Sequence, residues 1–75
     1  LSEVNWVNDQ YNYQNSHDLK LTARIRYRQK LQKISLHKHL EYLYVEFEEL
    51  QSAITPGQFV AIYLNTQLIA SGVIC

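Results

Sequence analysis

Residues 53–64 read Ala53-Ile54-Thr55-Pro56-Gly57-Gln58-Phe59-Val60-Ala61-Ile62-Tyr63-Leu64, and they hold the single proline and one of the two glycines of this 75-residue chain. Pro56 presets φ for the second position of a tight turn, and Gly57 supplies the positive φ that the third position of a type II turn requires. A reversal is therefore specified by backbone chemistry. The nearly continuous apolar run that follows, Phe59 to Leu64, predicts a strand covered on both faces, the central strand of a small core. Asn65-Thr66 then reads as a two-residue connection in which Asn65 takes φ > 0, leading into a last strand from Gln67 to Ile74. Gly72 inside that strand implies either a bulge or a close backbone approach.

Working back from the turn, residues 42–48 alternate, with Leu43, Val45 and Phe47 inward and Tyr42, Tyr44, Glu46 and Glu48 outward. Residues 31–38 do the same, with Ile34 and Leu36 inward and Lys33, Ser35 and His37 outward. Lys38-His39-Leu40-Glu41 reads as the turn between them. The clearest alternation runs from Leu19 to Arg28. Leu19, Leu21, Ala23, Ile25 and Tyr27 fall on one side, and Lys20, Thr22, Arg24, Arg26 and Arg28 on the other. Residues 2–8 suit a first strand with Val4 and Trp6 on one face, Trp6 as a core anchor. Residues 8–18 are rich in Asn, Asp, Gln, Ser and Tyr and read as a loop. Six short strands, with turn signals about every ten residues and no helical stripe, predict an all-β fold, a small six-stranded antiparallel β-barrel.

A chain of this length makes one domain with a small core, burying only about 60% of its unfolded surface. No run approaches the ~20 apolar residues of a membrane helix. The chain begins at Leu1 and contains no methionine, so a fragment of a longer protein is expected. Cys75 is the one cysteine, which excludes an internal disulfide and fits a reducing, cytoplasmic setting. Two separated glycines make no phosphate-cradling loop, and no acid and base stand at a catalytic spacing, so no catalytic or cofactor-binding residue is expected here. His37 and His39 could share one strand face, but a structural metal site needs about four ligands and no third is near in sequence.

The formal net charge is zero, yet charge is segregated. Lys20, Arg24, Arg26, Arg28, Lys30, Lys33 and Lys38 are all the basic residues, uninterrupted by an acid, and four of the seven acids follow as Glu41, Glu46, Glu48 and Glu49. Period-2 geometry would set the cations of the 19–28 strand about 6.6–7 Å apart on one face, comparable to the phosphate repeat of RNA. Lys20, Arg24, Arg26, Arg28 and Lys33 are therefore the candidate RNA-binding residues. Six phosphate contacts would be an upper bound, and such non-specific binding has Kd of ~10⁻⁴–10⁻⁶ M. The bland alternative is a solvated face with weak cross-strand ion pairs to the glutamates. Tyr42 and Tyr44 could stack on bases or cover the stems of the cations. Tyr11 and Tyr13 could also stack on a base, but ordinary loop packing is the preferred reading.

Two stretches become specific together. Ala23-Arg24-Ile25-Arg26-Tyr27-Arg28-Gln29, and Val45-x-Phe47-x-x-Leu50-Gln51-x-Ala53-Ile54-Thr55-Pro56-Gly57-Gln58, resemble in order and spacing two segments of the C-terminal domain of bacterial tRNA-specific 2-thiouridylases. Val4-Asn5-Trp6 and Gly72-Val73-Ile74 resemble that domain's entry and close. Leu50 and Lys30 stand where the family commonly has proline, and Ala70-Ser71-Gly72 stands where it has three glycines. The resemblance implies a C-terminal β-barrel, spanning residues 1–75, of a longer cytoplasmic enzyme. That enzyme would add sulfur to the wobble uridine of tRNA using ATP with magnesium and cysteines held in other domains. Implied partners are tRNA, the catalytic and central domains of the same chain, and a sulfur-carrier protein. A structural barrel that packs on another domain without touching RNA remains the alternative reading.

Overall fold

The computed structural model describes residues 1–26, 29–51 and 54–75. Its elements are β1 (Ser2–Trp6), a short helix α1 (Tyr13–Ser16), β2 (Leu21–Arg24), β3 (Gln32–His39), β4 (Tyr42–Phe47), β5 (Phe59–Leu64) and β6 (Gln67–Val73). The strands form one sheet in the order β1-β6-β5-β2-β3-β4, with every pairing antiparallel. The sheet curls until its two edges meet. Leu43 N–H donates to Leu1 O at 3.4 Å, and the Leu1 nitrogen donates to Leu43 O, joining β4 to the start of β1. The six-stranded barrel expected from the alternation is the fold.

Alternation selects the core. Leu21, Ala23, Ile34, Leu36, Leu43, Val60, Ile62, Ile69 and Ala70 are buried, and Trp6, Val4, Val45 and Phe47 pack against them partly covered. The turn before β5 closes as its residues require. Gly57 has φ +92°, Gln58 N–H donates to Thr55 O at 3.4 Å, and Thr55 N–H donates to the Gln58 side chain at 2.9 Å. Gly57 N–H to Ile74 O (2.7 Å) and Ile74 N–H to Gln58 O (2.8 Å) then fasten this turn to the end of β6. Asn65 takes φ +57° in the two-residue connection between Leu64 and Gln67.

Both readings of Gly72 are realised: the β1–β6 register shifts between Ser2 and Asn5, whose partners Val73 and Ser71 flank Gly72, and the strands approach closely there. A Cβ there would lie 2.9 Å from Leu1 Cδ1 and 3.1 Å from Leu1 Cβ. The irregularity in the β5–β6 ladder lies elsewhere, opposite Ile62 and Tyr63, and it turns both Ile69 and Ala70 into the core.

Four expectations are corrected. The 8–18 stretch contains α1, because Asn12 and Asn15 cap one another: each backbone N–H donates to the other's side-chain oxygen at 2.9 Å. Of the strand expected over 19–28, β2 spans Leu21–Arg24, with Leu19 exposed and Ile25 and Arg26 beyond the ladder, while Tyr27 and Arg28 lie outside the described residues. The β3–β4 reversal is tighter than expected, with Lys38 and His39 inside β3 and Leu40-Glu41 alone as the loop. The apolar run of β5 is central but not covered on both faces, since Phe59 is 68% exposed.

Candidate nucleic-acid interface

The early end of β2 reorganises the cations. Beyond Arg24 the chain turns under the control of Gln29, whose side-chain oxygen accepts the backbone N–H groups of Ile25 (2.9 Å) and Arg26 (3.4 Å). Gln29 N–H closes the turn on Arg26 O at 2.9 Å. Amides that would have continued a ladder are thus satisfied locally. Among the described residues, strand spacing on this face ends at Arg24. Arg28 lies outside the described residues.

Lys20 and Lys33 are exposed and come together. Lys33 is the β3 partner of Thr22, so the two lysines flank Thr22 on the outer face of the sheet. They line a depression of about 360 Å³ with Leu19, Leu21, Ile34 and Glu48. Arg24 and Arg26 belong to a different hollow of about 210 Å³ on the same outer face, floored by Ala61 and bounded by Phe59, Tyr63 and Ser71. The Arg24 guanidinium sits over the Tyr63 ring, 5.2 Å from its centroid, and Nη2 donates to the Tyr63 hydroxyl at 3.1 Å. Such a contact fixes the side chain while leaving its charge intact.

Other candidates distribute differently. Tyr42 and Tyr44 are exposed on β4, but their cross-strand partners are His39 and His37, not the arginines. His37 Nε2 lies 3.0 Å from Glu46 Oε1, which realises one cross-strand contact between the basic stretch and the glutamates. Lys38 pairs with Leu43 and lines a recess with Trp6 and Tyr13, away from Lys33. Among the described residues no group of three His, Cys, Asp or Glu side chains could hold a metal ion. No described helix is long and apolar enough to cross a membrane.

Sequence reasoning missed Phe59 and Tyr63. Their signal was present: β5 alternates as Phe59, Ala61, Tyr63 against Val60, Ile62, Leu64, and register places Ala61 opposite Arg24. An unbroken apolar run conceals that alternation.

Residues 1–74 match the family described as the aminomethyltransferase β-barrel domain. The chain belongs to this family. It is 52% identical over 73 residues to the tRNA-specific 2-thiouridylase MnmA of Flavobacterium johnsoniae, a match covering 97% of this chain and 18% of that protein. The corresponding protein of Christiangramia forsetii is 47% identical over 72 residues, covering 96% and 18%. That of Pseudomonas fluorescens is 41% identical over 73 residues, covering 97% and 19%. This domain-family chain thus spans about a fifth of the length of these curated relatives, and its resemblance to a 2-thiouridylase domain stands. No solved structure gives a significant match.

Proposed function

We infer that this chain is the tRNA-contacting C-terminal domain of a cytoplasmic tRNA 2-thiouridylase, an enzyme that installs 2-thiouridine at the wobble position by ATP-dependent sulfur transfer. The observation that carries the reading is the 52% identity to a tRNA-specific 2-thiouridylase over nearly the whole chain. The cations support it: Lys20, Arg26 and Lys33 are exposed and Arg24 is held in place, all on or beside one face of the sheet. Each phosphate neutralised by such a residue contributes about 0.7–0.9 to the salt slope of binding. A handful of contacts gives weak affinity alone and a useful increment within a larger surface.

Gly57 serves the turn before β5 and Gly72 is packed beneath Leu1. In this reading the nucleotide, the transferred sulfur and any sulfur-carrier protein belong to the catalytic and central domains.

The test is tRNA binding by the full-length enzyme after Lys20, Arg24, Arg26, Arg28 and Lys33 are reversed to Glu. The affinity should fall, and the salt dependence should flatten by several counterions. Unchanged affinity and slope would remove the RNA contact. A second reading, that the barrel packs on another domain, is favoured by the apolar side chains of Leu50 (103% exposed) and Ile54 (47% exposed). Crosslinks from residues 50–54 to the rest of the enzyme, with none from residues 20–33 to tRNA, would select it.

A further inference from the structure

We propose that the hollow between Phe59 and Arg24 receives an unstacked base of the tRNA, with Phe59 as its stacking surface. The proposal rests on the tRNA-contact reading above and names a residue and a mode of contact that the cations alone do not provide.

Phe59 is 68% exposed on the outer face of β5, while its neighbour Val60 is buried in the core. Exposure alone assigns Phe59 no role. Its surroundings select the partner. Two residues along β5 stands Ala61, whose small side chain lines the hollow. Arg24 is the cross-strand partner of Ala61, and Arg26 follows it past the end of β2. The hollow therefore presents an aromatic wall, a guanidinium fixed on the Tyr63 ring, a second cation at the rim and no acid among its described lining residues.

A protein surface would meet Phe59 equally well but would have to accommodate Arg24 and Arg26 with acidic groups. A nucleotide satisfies both demands at once, since its base is flat and apolar on its face and its phosphate is anionic. The volume of about 210 Å³ fits one ring system. Aromatic faces and guanidinium planes are the two side-chain surfaces on which single-stranded bases ordinarily stack.

The experiment uses the full-length enzyme and an unmodified tRNA transcript, with Kd measured over a range of salt concentrations. Phe59→Ala should weaken binding about 5- to 100-fold, the range expected for one stacked base, without altering the salt slope, because no charge is removed. Phe59→Trp should retain wild-type affinity, and its added fluorescence should be quenched by tRNA. The paired variant Arg24→Gln, Arg26→Gln should weaken binding and also reduce the slope. If Phe59→Ala binds normally while the arginine pair is impaired, base stacking is overturned and the tRNA contact survives. If neither variant changes binding, the hollow is not a tRNA site and the proposal falls, while the five-residue reversal decides the tRNA contact separately. Lowered thermal stability of Phe59→Ala with unchanged tRNA affinity would assign Phe59 to packing between domains, and the proposal would fall.

Discussion

Gln29 donates a hydrogen bond from its side-chain nitrogen to the side-chain oxygen of Gln51, and this contact ties together the two segments that carry the family resemblance. The other end of the Gln29 amide accepts two backbone N–H groups, from Ile25 and Arg26. Gln51 in turn donates to Glu49 O at 3.0 Å. One half-buried side chain therefore shapes the exit of β2 and anchors it to the segment after β4.

Removing that side chain strands two backbone donors. Gln29→Ala should lower unfolding free energy by about 1–3 kcal/mol, the range for losing a partner of partly buried polar groups. Gln29→Glu keeps the acceptor for Ile25 and Arg26 but loses the donor to Gln51, so its cost should be smaller. Urea unfolding of the two variants checks the order. A Gln29→Ala protein as stable as wild type would mean that solvent replaces the amide without penalty.

This clamp also explains what the sequence could and could not disclose. Alternation at Leu21, Ala23, Ile34, Leu36, Leu43, Val60 and Ile62 was legible because each residue has one side to bury. The end of β2 was not, because the alternation of residues 25–28 continues in sequence while a glutamine side chain captures the amides a ladder would use. Helix α1 escaped for a related reason: its four residues carry no apolar stripe, and its signal is the reciprocal pair Asn12 and Asn15. At the candidate interface the charges were visible, whereas their grouping depended on where β2 stops.

Leu40 occupies the β3–β4 loop with φ +55° and is 79% exposed. A left-handed backbone costs a branched, Cβ-bearing residue roughly 1 kcal/mol, and Leu40 buries little in return. The β5–β6 loop places Asn65 in the same region, at φ +57°. Leu40→Asn should therefore stabilise the protein by about 0.5–1 kcal/mol, visible as a rise in Tm. No rise would show that Leu40 makes a compensating contact.

The two glycines should respond differently to alanine. At Gly57 a methyl group meets nothing within 4 Å, so Gly57→Ala carries only the conformational cost of φ +92°, about 1–2 kcal/mol. At Gly72 the obstacle is steric, since the new Cβ would crowd Leu1 and sit 3.4 Å from Ser2 O. Gly72→Ala should destabilise by about 1–3 kcal/mol, and Leu1→Ala in the same chain should recover part of the loss. Thermal unfolding of the double variant separates the two mechanisms: no recovery would place the clash on the β1 backbone.

Thr22 Oγ1 is buried without a hydrogen-bond partner among the described residues, although Thr22 pairs across the sheet with Lys33 on one side and Tyr63 on the other. An unpaired buried hydroxyl costs desolvation that no contact offsets. Valine has nearly the same shape, lacks that penalty and suits a half-buried strand at least as well. Thr22→Val should therefore leave the fold intact and raise stability by up to about 1 kcal/mol. The same substitution tests the neighbouring lysines, because it alters no charge. Under the tRNA-contact reading, tRNA affinity and salt slope should be unchanged in Thr22→Val and diminished in Lys20→Gln, Lys33→Gln. A Thr22→Val enzyme that is less stable, or that loses tRNA affinity, would mean the hydroxyl has a partner in solution.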